Sequence, residues 1–389
     1  MNAILNPNVL QWARKKAGLS EETLAEKIGV KLGIVKEWES TGSIPISLVE
    51  KLAEKTRIAF GYLFLDHPPQ PSLPIADFRR VNVLHPSTPS DELMDVIYGA
   101  QLKQNWYRDY LIANGVKPLP FVGKASIKTS TKEVADDIRT TLNIGFALAE
   151  SAATAEEAWR NTIEATEEGG ILALCAGYAG GFTHRTLSAD EFWGFAMSDE
   201  YAPLVFINGA TTPAARFFTL AHEIAHIWIG ETGVSSLDRT YADGNAIETY
   251  CNSVAAEVLL PLNELSACWH GKTNDVGEVE RLSKKYKISK LVVARRARDA
   301  GFFTAEKYSS YYKLLIAQAK AQRDASNGGK WYYNEKYQNS RKFSVTIIQE
   351  ALAGRATQRD AMQLLGIKKD TTFRKYAKSL EGGVEWPMY

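Results

Sequence analysis

The chain has little cysteine: Cys175, Cys251 and Cys268 are its only thiols, scattered over 389 residues. That excludes a disulfide framework and a Cys-type zinc site. No stretch approaches the roughly 20 apolar residues that span a bilayer. The start, Met1-Asn-Ala-Ile-Leu-Asn-Pro, lacks a basic n-region and an apolar run of useful length, which predicts no signal peptide. These absences together predict a reducing, cytoplasmic setting and no membrane partner. Net charge is also nearly absent, at +1, but it is unevenly spread. Residues 1–69 hold 9 Lys/Arg and 8 Asp/Glu, residues 70–277 hold 14 and 26, and residues 278–389 hold 23 and 11. An acidic middle and a basic C-terminal third imply mutual docking, or a basic surface for nucleic acid or an acidic partner.

Against this background one stretch stands out, His222-Glu223-Ile224-Ala225-His226. Two imidazoles four residues apart share one helix face, and a carboxylate follows the first. Phe217-Phe218-Thr219-Leu220-Ala221 before it and Ile227-Trp228-Ile229 after it are apolar on almost every side, which predicts a buried helix. A solvent-facing His pair does not fit that setting. Buried, two His and a Glu need a metal or other polar partners. The pattern is that of a mononuclear zinc hydrolase.

A third ligand is expected from the helix predicted at 245–261, with Asn245 as its cap and Pro261 as its stop. Glu248 and Glu257 compete for the role. Glu248 lies four residues before Asn252, so the pair shares a face, and Asn252 can then hold a ligand His by its free ring nitrogen. Glu257 sits in the most apolar part of the helix and reads equally as a buried polar contact to backbone. Glu248 is therefore preferred. Zinc held by two His and one Glu leaves a fourth position for water, whose pKa it lowers towards neutrality. Glu223 takes that water's proton and passes it to the leaving amine. His184, Tyr201, Tyr241 and His270 are candidates for the oxyanion donor, none with a motif behind it. Upstream, Gly194–Met197 and Pro203–Asn208 read as strands, expected to supply a groove edge on which an extended peptide pairs. The Leu204–Ile207 run, apolar throughout, also reads as core.

The run Ala215-Arg-Phe-Phe-Thr-Leu-Ala-His-Glu-Ile-Ala-His226, followed by Glu248-x-x-x-Asn252 and Ala255-Ala-Glu-Val-Leu-Leu-Pro261, resembles the ImmA/IrrE-type metallopeptidases. These are gluzincin-like proteins of bacteria, phages and mobile elements. The resemblance implies that His222, His226 and Glu248 bind Zn2+ and that Glu223 is the general base. Asp77-Phe78-Arg79 fits members that carry an N-terminal DNA-binding module. Such relatives sit in prophage, stress, toxin–antitoxin or phage-defence settings.

That module is legible from residue 8 onward. A helix over Asn8–Ala17 ends at Gly18, Ser20 caps a second to Ile28, Gly29 makes a turn, and helices follow at Lys31–Trp38 and Ile46–Thr56. Helix, Gly-containing turn and second helix form a helix-turn-helix. It resembles the lambda-repressor-like (XRE) domains through Leu24-Ala25, Gly29-Val30, Val35 and Trp38-Glu39. Those domains usually carry Gln at a phosphate-contacting position where this chain has Glu21. Lys31 and Lys36 are the candidate contacts to double-stranded DNA. The alternative is a domain kept for homodimerisation or for gripping a protein partner.

Residues 70–77 read as a Pro-rich linker. Helices are predicted at Asp91–Ala113, Thr131–Leu142 and Ala155–Glu168. Val279–Ala297 and Thr357–Tyr376 repeat the helix-turn-helix rhythm, with a break at Asn327-Gly-Gly329 and aromatics at Trp331-Tyr-Tyr333 and Tyr337 between them. Basic and aromatic residues so interleaved can contact nucleic acid, or can be scaffold with a solvated lysine face. The fold expected is α+β and mostly helical. It comprises a helix-turn-helix domain (1–69), the linker (70–77), a gluzincin-like zinc peptidase domain with a small sheet (78–277) and a basic helical C-terminal region (278–389). Two functions follow. One is a regulatory zinc endopeptidase that cleaves a repressor, antitoxin or similar regulator. The other is a DNA-binding regulator or antitoxin whose peptidase-like domain mainly holds a partner protein. The intact Glu223 favours the first, because a pure binding module needs no base.

Overall fold

The computed structural model describes residues 2–56, 58, 60–69, 74–77, 89–180, 185–235, 246–270, 275–325 and 338–381. His184, Tyr241, Asn245, Phe78-Arg79, most of the 70–77 linker, Asn327–Gly329, Trp331–Tyr333 and Tyr337 lie outside the described residues. The chain divides into two units, Met1–Ser72 and Leu73–Tyr389.

In the first unit, β1 (Asn2–Ile4) pairs antiparallel with β2 (Ser43–Pro45) beside helices α1 (Pro7–Lys16), α2 (Glu21–Ile28), α3 (Leu32–Thr41) and α4 (Ile46–Thr56). Ser20 accepts from the Thr23 amide and starts α2. Gly29, at φ +85°, ends it in the left-handed conformation that sets the turn into α3. Leu24, Val35, Trp38, Ile44 and Leu52 form the core. Arg14 holds Glu39 in a buried two-pronged pair, with Nε to Oε1 at 2.6 Å and Nη2 to Oε2 at 2.8 Å. That pair ties α1 to α3.

The second unit is built on a five-stranded mixed sheet of order β3-β7-β5-β6-β4. Its strands are β3 (Ala76–Asp77), β4 (Leu172–Ala176), β5 (Gly194–Met197), β6 (Leu204–Asn208) and β7 (Gly233–Ser235). The helices are α5 (Asp91–Ala113), α6 (Thr131–Leu142), α7 (Phe146–Ser151), α8 (Ala155–Glu168), α9 (Pro213–Ile229), α10 (Ala246–Leu259), α11 (Leu262–Cys268), α12 (Asp275–Tyr286), α13 (Lys290–Asp299), α14 (Ala305–Ala325), α15 (Arg341–Leu352), α16 (Gln358–Leu365) and α17 (Asp370–Glu381). The helices predicted at 91–113, 131–142 and 155–168 form over those residues.

Strand alternation divides the sheet between two cores. Ala173, Cys175, Ala196, Val205 and Ile207 face a core shared with α6 to α14. Leu172, Leu174, Phe195, Met197, Leu204 and Phe206 face a second core, shared with α5 and α15 to α17. Burial on both faces explains why β4 and β6 read as continuous apolar runs.

The strands at 194–197 and 204–208 form, but neither is a groove edge. β5 lies between β7 and β6, and β6 between β5 and β4, so both have their backbone groups taken on each side. A peptide cannot add to either.

A carboxylate joins the C-terminal helices to the rest of this unit. Glu167 of α8 accepts from the backbone amides of Arg341 and Lys342, each at 3.1 Å, at the start of α15. Those amides have no partner inside their own helix. Glu167→Ala is expected to destabilise the packing of α15 by about 1–3 kcal/mol. Faster amide hydrogen exchange over 341–352 checks this, and unchanged exchange refutes it.

Candidate metal centre

The helix carrying the His pair is set by local signals. Thr212 caps α9 by accepting from the Ala215 amide, Pro213 occupies its first turn, and Gly230 at φ +76° ends it. The segment before α6 clamps its far end: the Gly123 and Ala125 amides donate to the carbonyls of Ile227 and Trp228. Trp228 stacks on Phe121 at 4.4 Å and donates from Nε1 to Asp137 at 2.8 Å. The helix is therefore held at both ends, which fixes the axial position of the two imidazoles.

His222, Glu223 and His226 are fully buried. α10 packs along α9 and brings Glu248 to the pair. His222 Nε2 and His226 Nε2 are 3.1 Å apart. Glu248 Oε2 lies 3.3 Å from His222 Nε2, and Oε1 lies 3.1 Å from His226 Nε2. These are lone-pair-bearing atoms converging on one point. Ligand atoms held about 2.0–2.1 Å from a tetrahedral zinc ion lie about 3.3–3.4 Å from one another. The donor set, its spacing and its burial fit such an ion. Among the described residues, His222 Nδ1, on the outer side of its ring, has no hydrogen-bond partner.

The electrostatics follow from burial and from these neighbours. Burial pushes the Glu223 carboxyl well above the usual range, and the Glu248 charge adds to that; the Ser235 hydroxyl acts weakly in the opposite sense. Burial pushes Glu248 upward too, but the two imidazoles outweigh it and hold its pKa at about 2. Burial lowers His226.

Glu257, the competing ligand, is elsewhere. It pairs with Arg296 in a buried contact, and Arg296 Nε also donates to the Leu260 carbonyl at 2.8 Å. The expected bond from Asn252 to a ligand imidazole is not formed. Among the described residues, Asn252 Oδ1 and His222 Nδ1 are both buried without a partner. One helical turn places Asn252 on the Glu248 face without bringing its amide oxygen within reach of an imidazole nitrogen. Of the oxyanion candidates within the described residues, Tyr201 and His270 make no hydrogen bond to the site. The Tyr201 amide donates to Asp199, and the His270 amide to Glu278.

Two residues at the site were not singled out from sequence. Ser235, buried at the end of β7, places Oγ 3.5 Å from His226 Nε2. Gly194 opens β5 directly beside the Glu223 carboxyl. A Cβ there would lie 2.7 Å from Glu223 Oε1, 2.7 Å from Thr219 Cγ2 and 2.8 Å from the Phe206 carbonyl. A glycine at a strand start is itself a signal of close approach. Because the Phe206 carbonyl is sheet backbone and cannot yield, Gly194→Ala is expected to displace Glu223. It should cost about 1–3 kcal/mol in stability. Thermal melting checks this, and a variant that melts with the parent refutes it.

In the first unit, Lys31 and Lys36 are both exposed. Lys36 Nζ lies 3.8 Å from Glu21 Oε2, and Arg14 is 3.7 Å from the same carboxylate. The Glu21 carboxylate thus neutralises part of the positive charge beside α3.

Among the described residues, no helix is long and apolar enough to cross a membrane. Comparison with known proteins finds three separate segments, one in the first unit and two in the second. No curated protein matches it. Residues 339–379 match a domain of unknown function (DUF8813). Residues 10–63 match the helix-turn-helix family, and residues 184–298 match the IrrE N-terminal-like domain. The chain thus joins a helix-turn-helix domain to an IrrE N-terminal-like, metallopeptidase-like domain, the arrangement of ImmA/IrrE-type proteins.

Proposed function

We propose that this protein is a regulatory zinc-dependent endopeptidase that cleaves a repressor, antitoxin or similar regulatory protein. One observation carries the reading: ligand atoms of His222, His226 and Glu248 lie within 4.8 Å of one another, both imidazoles are fully buried, and Glu223 is on the same helix turn as the first His. An exposed cluster of acids and imidazoles would carry far less weight. A zinc ion held by these three side chains supplies Lewis acidity, lowering the pKa of water and polarising a peptide carbonyl. Glu223 then accepts the proton of the attacking water and returns it to the leaving amine. Burial excludes bulk water from that exchange, and Gly194 keeps the carboxylate beside β5. The helix-turn-helix domain supplies a route to DNA-associated targets, with Lys31 and Lys36 as its contacts.

The ligand assignment has a direct test. Purified Glu248→Ala is expected to lose bound zinc, measured by elemental analysis, by at least tenfold, because a three-ligand site reduced to two binds weakly. Glu257→Ala should retain its zinc. If only the Glu257 variant loses metal, the ligand assignment is wrong.

A further inference from the structure

The helix-turn-helix at the other end of the chain has electrostatics that the N-terminal one lacks. Residues 339–379 hold nine Lys/Arg and three Asp/Glu. Within them α16 runs Gln358–Leu365, is capped by Thr357 and ends at Gly366 with φ +69°. α17 begins at Asp370. The outline repeats α2, which also has eight residues and ends at a left-handed Gly before a short turn into α3.

The inner side of this unit is fully used. Phe373 and Ala377 of α17 pack with Ala361 and Leu365 of α16 and with Phe343, Ile347 and Ile348 of α15. The Tyr376 hydroxyl is 3.0 Å from Ser344 Oγ, and Asn339 donates to the Leu365 carbonyl at 3.0 Å. The outer side of α17 is a stripe at i, i+4 and i+7: Thr371, Lys375 and Lys378, all exposed. Lys369 in the turn and Arg359 on α16 are also exposed. Among the described residues none of these four cations has an acidic partner. Arg355 and Arg374, by contrast, pair with Glu350 and Asp370. Lys375 and Lys378 on the outer face of α17, Lys369 in the turn before it and Arg359 on α16 are thus available to phosphates.

We propose that residues 339–381 form a second helix-turn-helix unit that binds double-stranded DNA through Arg359, Lys369, Thr371, Lys375 and Lys378. The major groove of B-form DNA, about 12 Å wide, admits an α-helix. The major groove of A-form RNA is too narrow for one. Single strands are held on aromatic platforms, and this stripe has no exposed ring.

The test uses the full-length chain in a Lys31→Ala/Lys36→Ala background, which weakens any DNA contact by the N-terminal unit. Fluorescence anisotropy follows a labelled mixed-sequence duplex of about 30 base pairs over about 50–200 mM salt. The background protein is expected to bind, with log K falling linearly as log salt rises. Adding Lys369→Ala/Lys375→Ala/Lys378→Ala should weaken binding at least tenfold at about 100 mM salt. The same change should flatten the slope by about 2.7, at 0.9 per phosphate contact. Arg at the same three positions should bind within about twofold of the background, since the charge is kept. All three side chains are exposed, so circular dichroism and melting should be unchanged. The proposal fails if the background protein does not bind the duplex, or if the triple Ala variant binds with the same affinity and slope. It also fails if single-stranded RNA of equal length binds more tightly than the duplex.

Discussion

Glu223→Gln is expected to lower peptidase turnover by about a thousandfold, within the range usual for loss of a general base, and to leave bound metal unchanged. Gln has nearly the same shape as Glu, so it should fill the space beside Gly194 without moving β5. It has no carboxylate to take a proton. His222, His226 and Glu248, the side chains proposed to hold the metal, are untouched. The measurement is the amount and mass of neighbouring gene products co-expressed with parent or variant protein, alongside elemental analysis. Loss of a partner with the parent alone supports proteolysis. Equal loss with both sinks the protease reading and leaves a module that holds its partner.

The second large effect concerns stability. Arg296→Met should destabilise the second unit by about 3–5 kcal/mol, because Glu257 is then a buried charge with no partner. The Leu260 carbonyl also loses its donor. Glu257 and Leu260 stand at the end of α10, the helix that delivers Glu248, while Arg296 comes from α13. The variant should therefore loosen the join between α13 and α10. At roughly 2 °C per kcal/mol for a domain of this size, a fall of about 6–10 °C in melting temperature is expected. The double variant Arg296→Met/Glu257→Leu should recover most of it, since neither charge is then stranded. A double variant as unstable as the single would show that packing of the Arg296 side chain, not its charge, holds this join.

Much of this was legible in the residues. The helix ends were written in local chemistry: Ser20 and Gly29 for α2, Thr357 and Gly366 for α16, a uniformly apolar surround for α9. Short-range signals suffice there because caps and periodicity act within a turn or two. The His pair was legible for the same reason, since four residues of helix impose its geometry. The strands at 194–197 and 204–208 were also legible, but not their neighbours. Each reads the same as edge or as centre, and strand order depends on β7 and β4, which come from distant parts of the chain.

The site shows the same division. Sequence alone determined that two imidazoles and a carboxylate share one turn of a buried helix, and that a helix-turn-helix precedes them. The residues already favoured Glu248 over Glu257, through the face it shares with Asn252, but only the packing of α10 on α9 and of α13 on α10 brings one carboxylate to the histidines and the other to Arg296. The roles of Gly194 and Ser235 also rest on the tertiary structure, because β5 and β7 reach α9 only through the sheet. Contacts within one helix follow from covalent spacing. Contacts between elements depend on which faces the whole chain can bury together, and no local stretch encodes that.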